Sequence, residues 1–178
     1  MDRIDRKRVQ ILDALETLQR ANSDEQLLAG QVMTGQPSCI SADTCVLELV
    51  RMIHANAFRH LLVTDKDGQL LGVISDRDVL RCLGPGAADK EKLTRIVAGD
   101  LMSTDLVTIT SQTPLVQAIG ILIDQGISCL PIVDEGRLVG IMTNTDMHVV
   151  LQMLLRAVCL SGSEKPLSGA TRLSAESR

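Results

Sequence analysis

Aromatic side chains are almost absent from this chain of 178 residues, which has one Phe and neither Trp nor Tyr. Proteins that hold single-stranded nucleic acid stack its bases on aromatic rings, so the composition excludes that kind of binding surface. Hydrophobic residues nevertheless make up 45% of the chain, which is enough for a buried core. That core must be built from Leu, Ile, Val and Met.

An excess of positive charge is also missing, because the chain has 18 Lys and Arg against 22 Asp and Glu, for a formal net charge of -4. Broad binding to nucleic acid requires a basic surface, so we expect no nucleic-acid partner. A small anionic ligand remains compatible with this charge, since it needs positive potential at one place only.

The chain has no Cys-x-x-Cys pair, and its five cysteines are an odd number. This pattern argues against a secreted disulfide scaffold and against a zinc ribbon. The histidines are scattered, at positions 54, 60 and 148, so no set of metal ligands emerges. We therefore expect reduced thiols in a cytoplasmic protein that holds no metal.

Long apolar runs are missing too. The charged N-terminus, residues 1–8, is not followed by an apolar region, and no uninterrupted apolar run reaches membrane-spanning length, so we expect neither a signal peptide nor a membrane partner.

Apolar residues at helical spacing from Arg3 to about Ala21 predict an amphipathic N-terminal helix. Acidic residues dilute its positive charge, which favours packing on the rest of the chain or on a second subunit over lying on a membrane. Ser23 followed by Gln26 predicts a capping box at a short second helix.

The chain contains an internal repeat. Residues 27–34 return as residues 96–103 at an offset of 69, so that Met33 corresponds to Met102. After a gap of one residue the match resumes, and residues 68–78 correspond to residues 136–146. Two similar units that each expose an apolar face bury those faces against one another. The groove between them is the expected place for a ligand.

Both copies have the same order of predicted elements. Each reads as a short extended piece (39–41 and 108–110), a helix (44–56 and 113–125), two strands (61–63 with 70–74, and 130–133 with 138–142) and a closing helix after Ser75 or Thr143. Asp67-Gly68 and the matching dipeptide of the second copy predict tight hairpin turns. Thr113 followed by Pro114 predicts an N-cap with proline at the first helical position.

The composition also predicts the division of the chain. We expect an N-terminal helix in residues 1–24, a first repeat in 25–84, a linker in 85–93, a second repeat in 94–156 and a flexible tail in 161–178. The linker begins with a Gly- and Pro-rich stretch that breaks any helix. The tail is rich in Ser, Gly and charge.

The most specific pattern is Gly-h-h-[Ser/Thr]-x-x-Asp, where h is hydrophobic, in residues 72–78 (the first motif) and 140–146 (the second motif). Each copy lies where a strand turns into a helix, and a helix N-terminus offers free N–H groups to a phosphate. The hydroxyls of Ser75 and Thr143 can add a donor, and the carboxylates of Asp78 and Asp146 can accept both hydrogen bonds of a ribose diol. The glycines leave room for close backbone approach.

An ordinary helix cap accounts for the same residues. A Ser or Thr followed three residues later by an acid is a common N-cap with a favourable charge in the first turn. The occurrence of two copies, each after a strand that contains glycine, favours ligand binding.

Positive side chains differ between the copies. The first has Arg59, His60 and Arg77 where the second has Ser128, Cys129 and Thr145. A phosphate-rich ligand is therefore predicted for the first crevice and a less charged one for the second. Exposed arginines paired with Asp76 would explain the same residues. No nucleophile motif such as Gly-x-Ser-x-Gly is present, so we expect a binding protein and not an enzyme.

These residues resemble a known family, the CBS domain. The resemblance rests on residues 32–34, 40–41, 59–65 and 72–80, and for a second domain on 101–103, 130–134 and 140–146. It covers roughly residues 25 to 155 and implies a tandem pair, called a Bateman module. The implied fold is α+β, with two β-α-β-β-α repeats related by a pseudo-two-fold axis and preceded by the N-terminal amphipathic helix.

The resemblance also implies a function. Such pairs bind adenosine compounds in two clefts, among them AMP, ADP, ATP, S-adenosylmethionine and sometimes NAD(H), as regulatory ligands and not as required cofactors. They commonly form homodimers, and a protein partner would read the change that the ligand causes. The implied ligand contacts are Ser75, Arg77 and Asp78, Thr143, Thr145 and Asp146, with Arg59 and His60 at the phosphates and Ile40, Ile109 and Ile127 around the adenine. Leu62 departs from the pattern, since the second copy has Pro131 there.

A different function remains open for the same fold. The chain could be a structural dimerisation module with vestigial clefts, in which the two aspartates only cap helices. Ligand-dependent stabilisation distinguishes the two functions.

Overall fold

The computed structural model describes residues 3–21, 26–84 and 90–159. Within them the chain is a mixed α+β protein, which confirms the predicted fold class, and its first element is the predicted N-terminal helix. Three predictions concern residues outside this part: the capping Ser23, the beginning of the linker 85–93 and the tail 161–178.

In each repeat a helix, a hairpin of two strands and a closing helix follow in the predicted order. The predicted extended piece 39–41 forms a strand, whereas 108–110 contributes only an isolated bridge from Ile109 to Ile132. The helices and strands are α1 (Arg3–Ala21), α2 (Ala29–Val32), β1 (Thr34–Gly35), β2 (Cys39–Ile40), α3 (Val46–Asn56), β3 (His60–Thr64), β4 (Leu70–Ser75), α4 (Asp76–Leu83), α5 (Lys90–Arg95), α6 (Ala98–Leu101), α7 (Leu115–Asp124), β5 (Cys129–Asp134), β6 (Arg137–Thr143) and α8 (Asn144–Cys159). The longer helices follow their apolar spacing. In α7 the buried Leu115, Ala118 and Leu122 lie on one face of the helix,.

The strands form two three-stranded sheets, in the orders β1-β6-β5 and β2-β3-β4. The predicted hairpins β3–β4 and β5–β6 are both antiparallel. At the second turn Glu135 has φ 50° and Gly136 has φ 78°. Two successive positive φ angles match the right-handed twist of the strands that they join.

The segment that precedes the first repeat packs on the second repeat. Ala29 N donates to Thr113 O at 2.8 Å, and Leu115 N donates to Leu27 O at 2.7 Å. Strand β1 then pairs with β6 in antiparallel register, Thr34 opposite Ile141. The segment that leads into the first repeat is thus packed into the second repeat.

The exchange is reciprocal. The segment before the second repeat packs on the first, with Val46 N donating to Ile96 O at 2.9 Å and Ala98 N donating to Thr44 O at 2.8 Å. Ser103 forms an antiparallel bridge with Val73 of β4. Each repeat is therefore completed by residues from outside its own hairpin unit.

The glycines of the two motifs make room for this exchange. A Cβ atom built on Gly72 would lie 2.8 Å from Met102 Cβ, and one built on Gly140 would overlap Met33 Sδ. The sequence predicted that these glycines let a ligand approach the backbone. In the structure a methionine fills that space in each repeat. It belongs to the segment that precedes the other repeat (the exchanged segment), which lies directly against the motif strand.

Buried side chains form one core within each repeat and a smaller cluster between them. In the cluster between the repeats, Leu62 of β3 packs with Cys129 of β5 and Ile141 of β6. The repeats therefore bury apolar faces against each other, as the duplication predicts.

The predicted N-cap of α7 is wrong. The helix begins at Leu115, with Pro114 at the N-cap position. Thr113 lies one residue earlier, where its carbonyl accepts from Ala29 N and its Oγ1 accepts from Thr110 N at 3.1 Å. The exchanged segment holds Thr113 outside the helix, and a local sequence pattern does not contain that contact.

Candidate functional site

A cavity of about 640 Å³ lies where the two repeats and α1 meet, and we call it the inter-repeat cavity. Its wall combines residues of α1, the loop after β1, the turn between α3 and β3, and the turn between β6 and α8. Its volume is within the range of small-molecule sites, about 300–1,000 Å³. The cavity therefore lies beside the second motif, at the place where the repeat predicts a groove.

Asp146 of the second motif lies in the first turn of α8 and holds the residue that precedes this helix. Its Oδ2 accepts from Thr143 N at 2.7 Å and from Thr143 Oγ1 at 2.8 Å. Thr143, Asn144 and Thr145 line the inter-repeat cavity. The N-terminus of α8, a helix of 16 residues, therefore contributes to the cavity wall and brings its positive dipole end there.

The other oxygen of Asp146 is held by residues from elsewhere in the chain. Lys7 Nζ of α1 lies 3.0 Å from Asp146 Oδ1, and Thr34 Oγ1 of β1 donates to the same oxygen at 3.3 Å. The Lys7 ammonium also donates to Val32 O. Lys7 and Asp146 are 6% and 3% exposed, so this is a buried ion pair.

Lys7 was not predicted as a site residue, although its position in the apolar pattern of α1 indicates burial. Lys7 lies three residues after Ile4 and four before Ile11, on the apolar face of the predicted helix,. A charge in that position requires a buried partner, because an unpaired buried ammonium is very unfavourable. The periodicity of α1 could therefore have pointed to an acidic partner, but it could not have identified Asp146.

The first motif forms the same cap with a different neighbour. Ser75 N and Ser75 Oγ donate to Asp78 Oδ2 at 2.9 and 2.6 Å. Asp78 Oδ1 accepts from Arg81 at 3.3 Å, and the Asp78 side chain is 22% exposed. Arg77 is exposed on the same helix. The capping interpretation is confirmed for the first motif, where Ser75 Oγ also accepts from Asp78 N. The two carboxylates differ in the cation that each of them meets.

Arg59 and His60 line the inter-repeat cavity, together with Thr143 and Thr145 of the second motif. The sequence analysis placed both of them at the crevice of the first motif. Arg59 O, before β3, accepts from Asp76 N of the first motif, and Ser128 O, before β5, accepts from Asn144 N of the second. His60 at the start of β3 is hydrogen-bonded to Ser128, so the start of β3 also reaches the second motif. The cavity of the second motif therefore gains the positive side chain of Arg59 and the imidazole of His60 from the first repeat.

The two residues differ in charge. The Arg59 guanidinium is exposed and lies 3.6 Å from Asp76, the pairing that the sequence analysis kept open. His60 Nε2 shares a hydrogen bond of 2.8 Å with Ser128 Oγ. Burial lowers the pKa of His60, against a smaller opposing effect of Asp76. Because the pKa lies below its ordinary value, His60 is neutral at pH 7 and offers a ligand a hydrogen bond and not a positive charge.

The three isoleucines predicted around adenine do not line this cavity. Ile40 and Ile109 are buried in the cores of the first and second repeats, and Ile127 packs on the edge of the second core. Ile40 also borders a separate cavity of about 620 Å³ beside the β3–β4 hairpin. Ser75, Arg77 and Asp78 of the first motif and Asp146 of the second are likewise not among the described residues that line the inter-repeat cavity.

The apolar wall of the inter-repeat cavity consists of other residues. It includes Met33, Pro37, Phe58, Leu62 and Ile141. Phe58 is the single aromatic residue of the chain, and the sequence analysis did not consider it. Its position directly before Arg59, in the turn that precedes β3, is what brings it to this wall.

Among the residues that the structure describes, no group of three or more His, Cys, Asp or Glu side chains could hold a metal ion. No helix in the same ranges has the length and apolarity needed to cross a membrane. Burial raises the pKa of Cys129 to about 12, so this thiol is protonated at neutral pH.

Comparison with known families matches the CBS domain model to residues 29–84 and 98–152. A CBS domain-containing protein from Dictyostelium discoideum is 31% identical to this chain over 140 residues, and the alignment covers 75% of this chain and 97% of the relative.

Solved structures show the same fold. The crystal structure of CBSX2 in complex with AMP has a TM-score of 0.62 and 27% identity, and it covers 74% of this chain and 98% of its own. A CBS domain pair solved with 5′-methylthioadenosine and S-adenosyl-L-methionine has a TM-score of 0.64 and 20% identity, and it covers 72% of this chain and 98% of its own.

Proposed function

Because this chain belongs to the CBS-domain family and contains two copies of the domain, we propose that it is a regulatory sensor of an adenosine compound. The ligand is AMP, ADP, ATP or S-adenosylmethionine, and it binds in the inter-repeat cavity. The observation that carries this proposal is the second motif, whose Thr143 and Thr145 line a cavity large enough for a nucleotide,. AMP bound to CBSX2 supports it.

Each part of an adenosine ligand has chemically suitable neighbours in this cavity. The ribose diol is assigned to the carboxylate of Asp146, which is buried directly behind Lys7 and Thr143 of the cavity wall. The phosphate or the charged tail is assigned to Thr145 and Arg59, where the helix dipole and the guanidinium favour an anion. The adenine ring is assigned to the apolar wall around Phe58 and Leu62, where a π-face can stack.

The residues of the first motif form the proposed second site. Ser75, Arg77 and Asp78 present the same cap and a nearby positive charge. In this proposal the functional repeats are residues 25–84 and 94–156, although each is completed by the segment that it receives from the other. In this site the cation that meets Asp78 is Arg81, whose side chain is mostly exposed.

A thermal-shift measurement tests the proposed function. A ligand present at a hundredfold excess over its Kd stabilises the fold by about 2.7 kcal/mol, which raises the Tm by roughly 5–11 °C for a domain of this size. We expect this shift with at least one of AMP, ATP, S-adenosylmethionine and NADH. Ribose 5-phosphate, which lacks the base, is the control and should shift the Tm much less. No shift with any adenosine compound would favour the structural alternative.

Exposed apolar side chains support the proposal that the chain forms a homodimer. They lie on α7 (Val116 and Ile123) and on α8 (Leu151, Leu154 and Leu155). Leu151 and Leu155 are four residues apart and share one helix face. Such a face is normally covered by a partner, and in this proposal a second copy covers it.

Sedimentation equilibrium tests the dimer. The substitution Leu155→Glu should convert the dimer to a monomer, because it places an unpaired charge in an apolar interface. Leu80→Glu is the matched control, since Leu80 is exposed on α4, outside the proposed interface. A wild-type monomer at micromolar concentration would contradict this part of the proposal.

The remaining parts of the proposal follow from the ligand. A sensor of a cytoplasmic metabolite is expected in the cytoplasm, and we propose a regulatory and not a catalytic role. Ligand binding between the repeats would change their relative angle, and a protein partner would read that change.

A further inference from the structure

We propose that Lys7 is an internal competitor for the ribose subsite, so that docking of α1 and binding of the adenosine ligand exclude each other. This inference rests on the proposed function of the inter-repeat cavity. It makes the N-terminal helix the element that sets the affinity of that cavity.

The hydrogen-bonding capacity of Asp146 is the first argument. An ionised carboxylate accepts about four hydrogen bonds. Asp146 already accepts from Thr143 N, from Thr143 Oγ1, from Thr34 Oγ1 and from the Lys7 ammonium. A ribose diol needs acceptor positions on the same carboxylate. It can therefore bind only after one or more of these donors has left.

Of these four donors, the Lys7 ammonium can leave Asp146 with the smallest loss of contacts within the two repeats. The two Thr143 donors belong to the cap of α8, three residues from Asp146. Thr34 belongs to β1, which is paired with β6. Lys7 comes from a helix outside both repeats, and it lines the cavity itself. The ammonium therefore occupies space that a ligand at Asp146 requires.

The charges favour an exchange of the Lys7 ammonium for ribose hydroxyls over a simple loss of the ion pair. When Lys7 leaves, its ammonium regains hydration, and the ribose hydroxyls replace it as donors to Asp146. The rest of α1 resists this exchange, because Ile11 is fully buried and Gln10 Nε2 donates to Gln31 O at 2.8 Å. The apparent Kd is then the intrinsic Kd divided by the fraction of molecules with α1 undocked.

The first motif has no equivalent competitor from α1. Among the described residues, the cation that Asp78 meets is Arg81 of its own helix, whose side chain is 79% exposed and can rotate away without displacing another element. The proposed competition therefore acts on one cleft of the pair, and the two clefts would differ in how they depend on α1.

Calorimetric titration of AMP into the full chain tests this proposal. Lys7→Met removes the ammonium and keeps an unbranched side chain, so we expect AMP to bind at least about tenfold more tightly than to wild type. Val9→Met is the matched control, because Val9 is exposed on the same helix and does not line the cavity. It should change the affinity by much less.

Hydrogen exchange of wild type is the second measurement, and it does not depend on the folding of a variant. AMP should increase amide exchange across α1 and decrease it across the turn before α8. Protection of α1 by AMP, or unchanged or weaker binding to Lys7→Met, would overturn the competition and leave the proposed function intact. If neither AMP nor S-adenosylmethionine binds to wild type or to Lys7→Met, the proposed function fails and the competition fails with it.

Discussion

Asp146→Ala is expected to lower the free energy of unfolding by about 3–5 kcal/mol, the usual cost of removing one partner of a buried ion pair. The substitution leaves the Lys7 ammonium in a site where it is 6% exposed. It also removes the cap of α8, which by itself contributes about 1 kcal/mol. Urea denaturation followed by circular dichroism measures the loss.

Asp78→Ala is the matched control for this prediction. Asp78 occupies the same position of the first motif, but its cation is Arg81, which is mostly exposed. Only a cap-sized loss of about 1 kcal/mol is expected there. The double variant Lys7→Met/Asp146→Leu should recover much of the lost stability, because it removes both buried charges. Equal losses from Asp146→Ala and Asp78→Ala would contradict the buried pair.

Gly72→Val is expected to cost about 1–3 kcal/mol, the range for overfilling a packed core. A side chain at Gly72 would overlap Met102, whose Cβ and Cγ would lie 2.8 and 2.7 Å from the new Cβ. Met102 cannot simply withdraw, because its N–H donates to Ala98 O at 2.9 Å and the next residue, Ser103, is bridged to Val73. The substitution therefore strains the exchanged segment itself, and urea denaturation reports the cost.

Gly120→Ala is the control for the glycine substitution. No heavy atom lies within 4 Å of a Cβ atom built on Gly120, in the middle of α7. Alanine should stabilise this helix by up to about 1 kcal/mol, because it restricts the unfolded chain. If Gly72→Val were as harmless as Gly120→Ala, the close packing of Met102 on the first motif would be wrong.

The elements that depend on local signals were predictable from the sequence. The hairpin turn at Glu135-Gly136 follows from its dipeptide, and the beginning of α4 follows from the Ser75 cap. The N-terminal helix follows from its apolar periodicity. These signals lie within a few residues of the structure that they specify.

The exchange of leading segments was not predictable, since it depends on pairing between residues that are far apart. Thr34 pairs with Ile141 across more than a hundred positions, and neither residue carries a sign of the other. Arg59 and Phe58 could not be assigned to the cavity of the second motif for the same reason. That cavity is formed by the packing of the two repeats, and the sequence of one repeat specifies only half of its wall.

The partner of Lys7 can be predicted from the sequence only in part. Its place on the apolar face of α1 indicates that a buried acid must pair with it. The acid is Asp146 and not Asp78, although the two motifs follow the same pattern and end on the same residue type. Only the side of the repeat pair on which α1 docks distinguishes them, and that choice depends on the whole packed surface.

Calorimetric titration of AMP into wild type, Asp146→Asn and Asp78→Asn tests the central claim most directly. That claim is that the inter-repeat cavity binds an adenosine ligand through the second motif. Wild type and Asp78→Asn should both show saturable binding at this cavity, and Asp146→Asn should lose it at a temperature where circular dichroism shows it folded. Equal affinity for AMP in wild type and in folded Asp146→Asn would contradict the account.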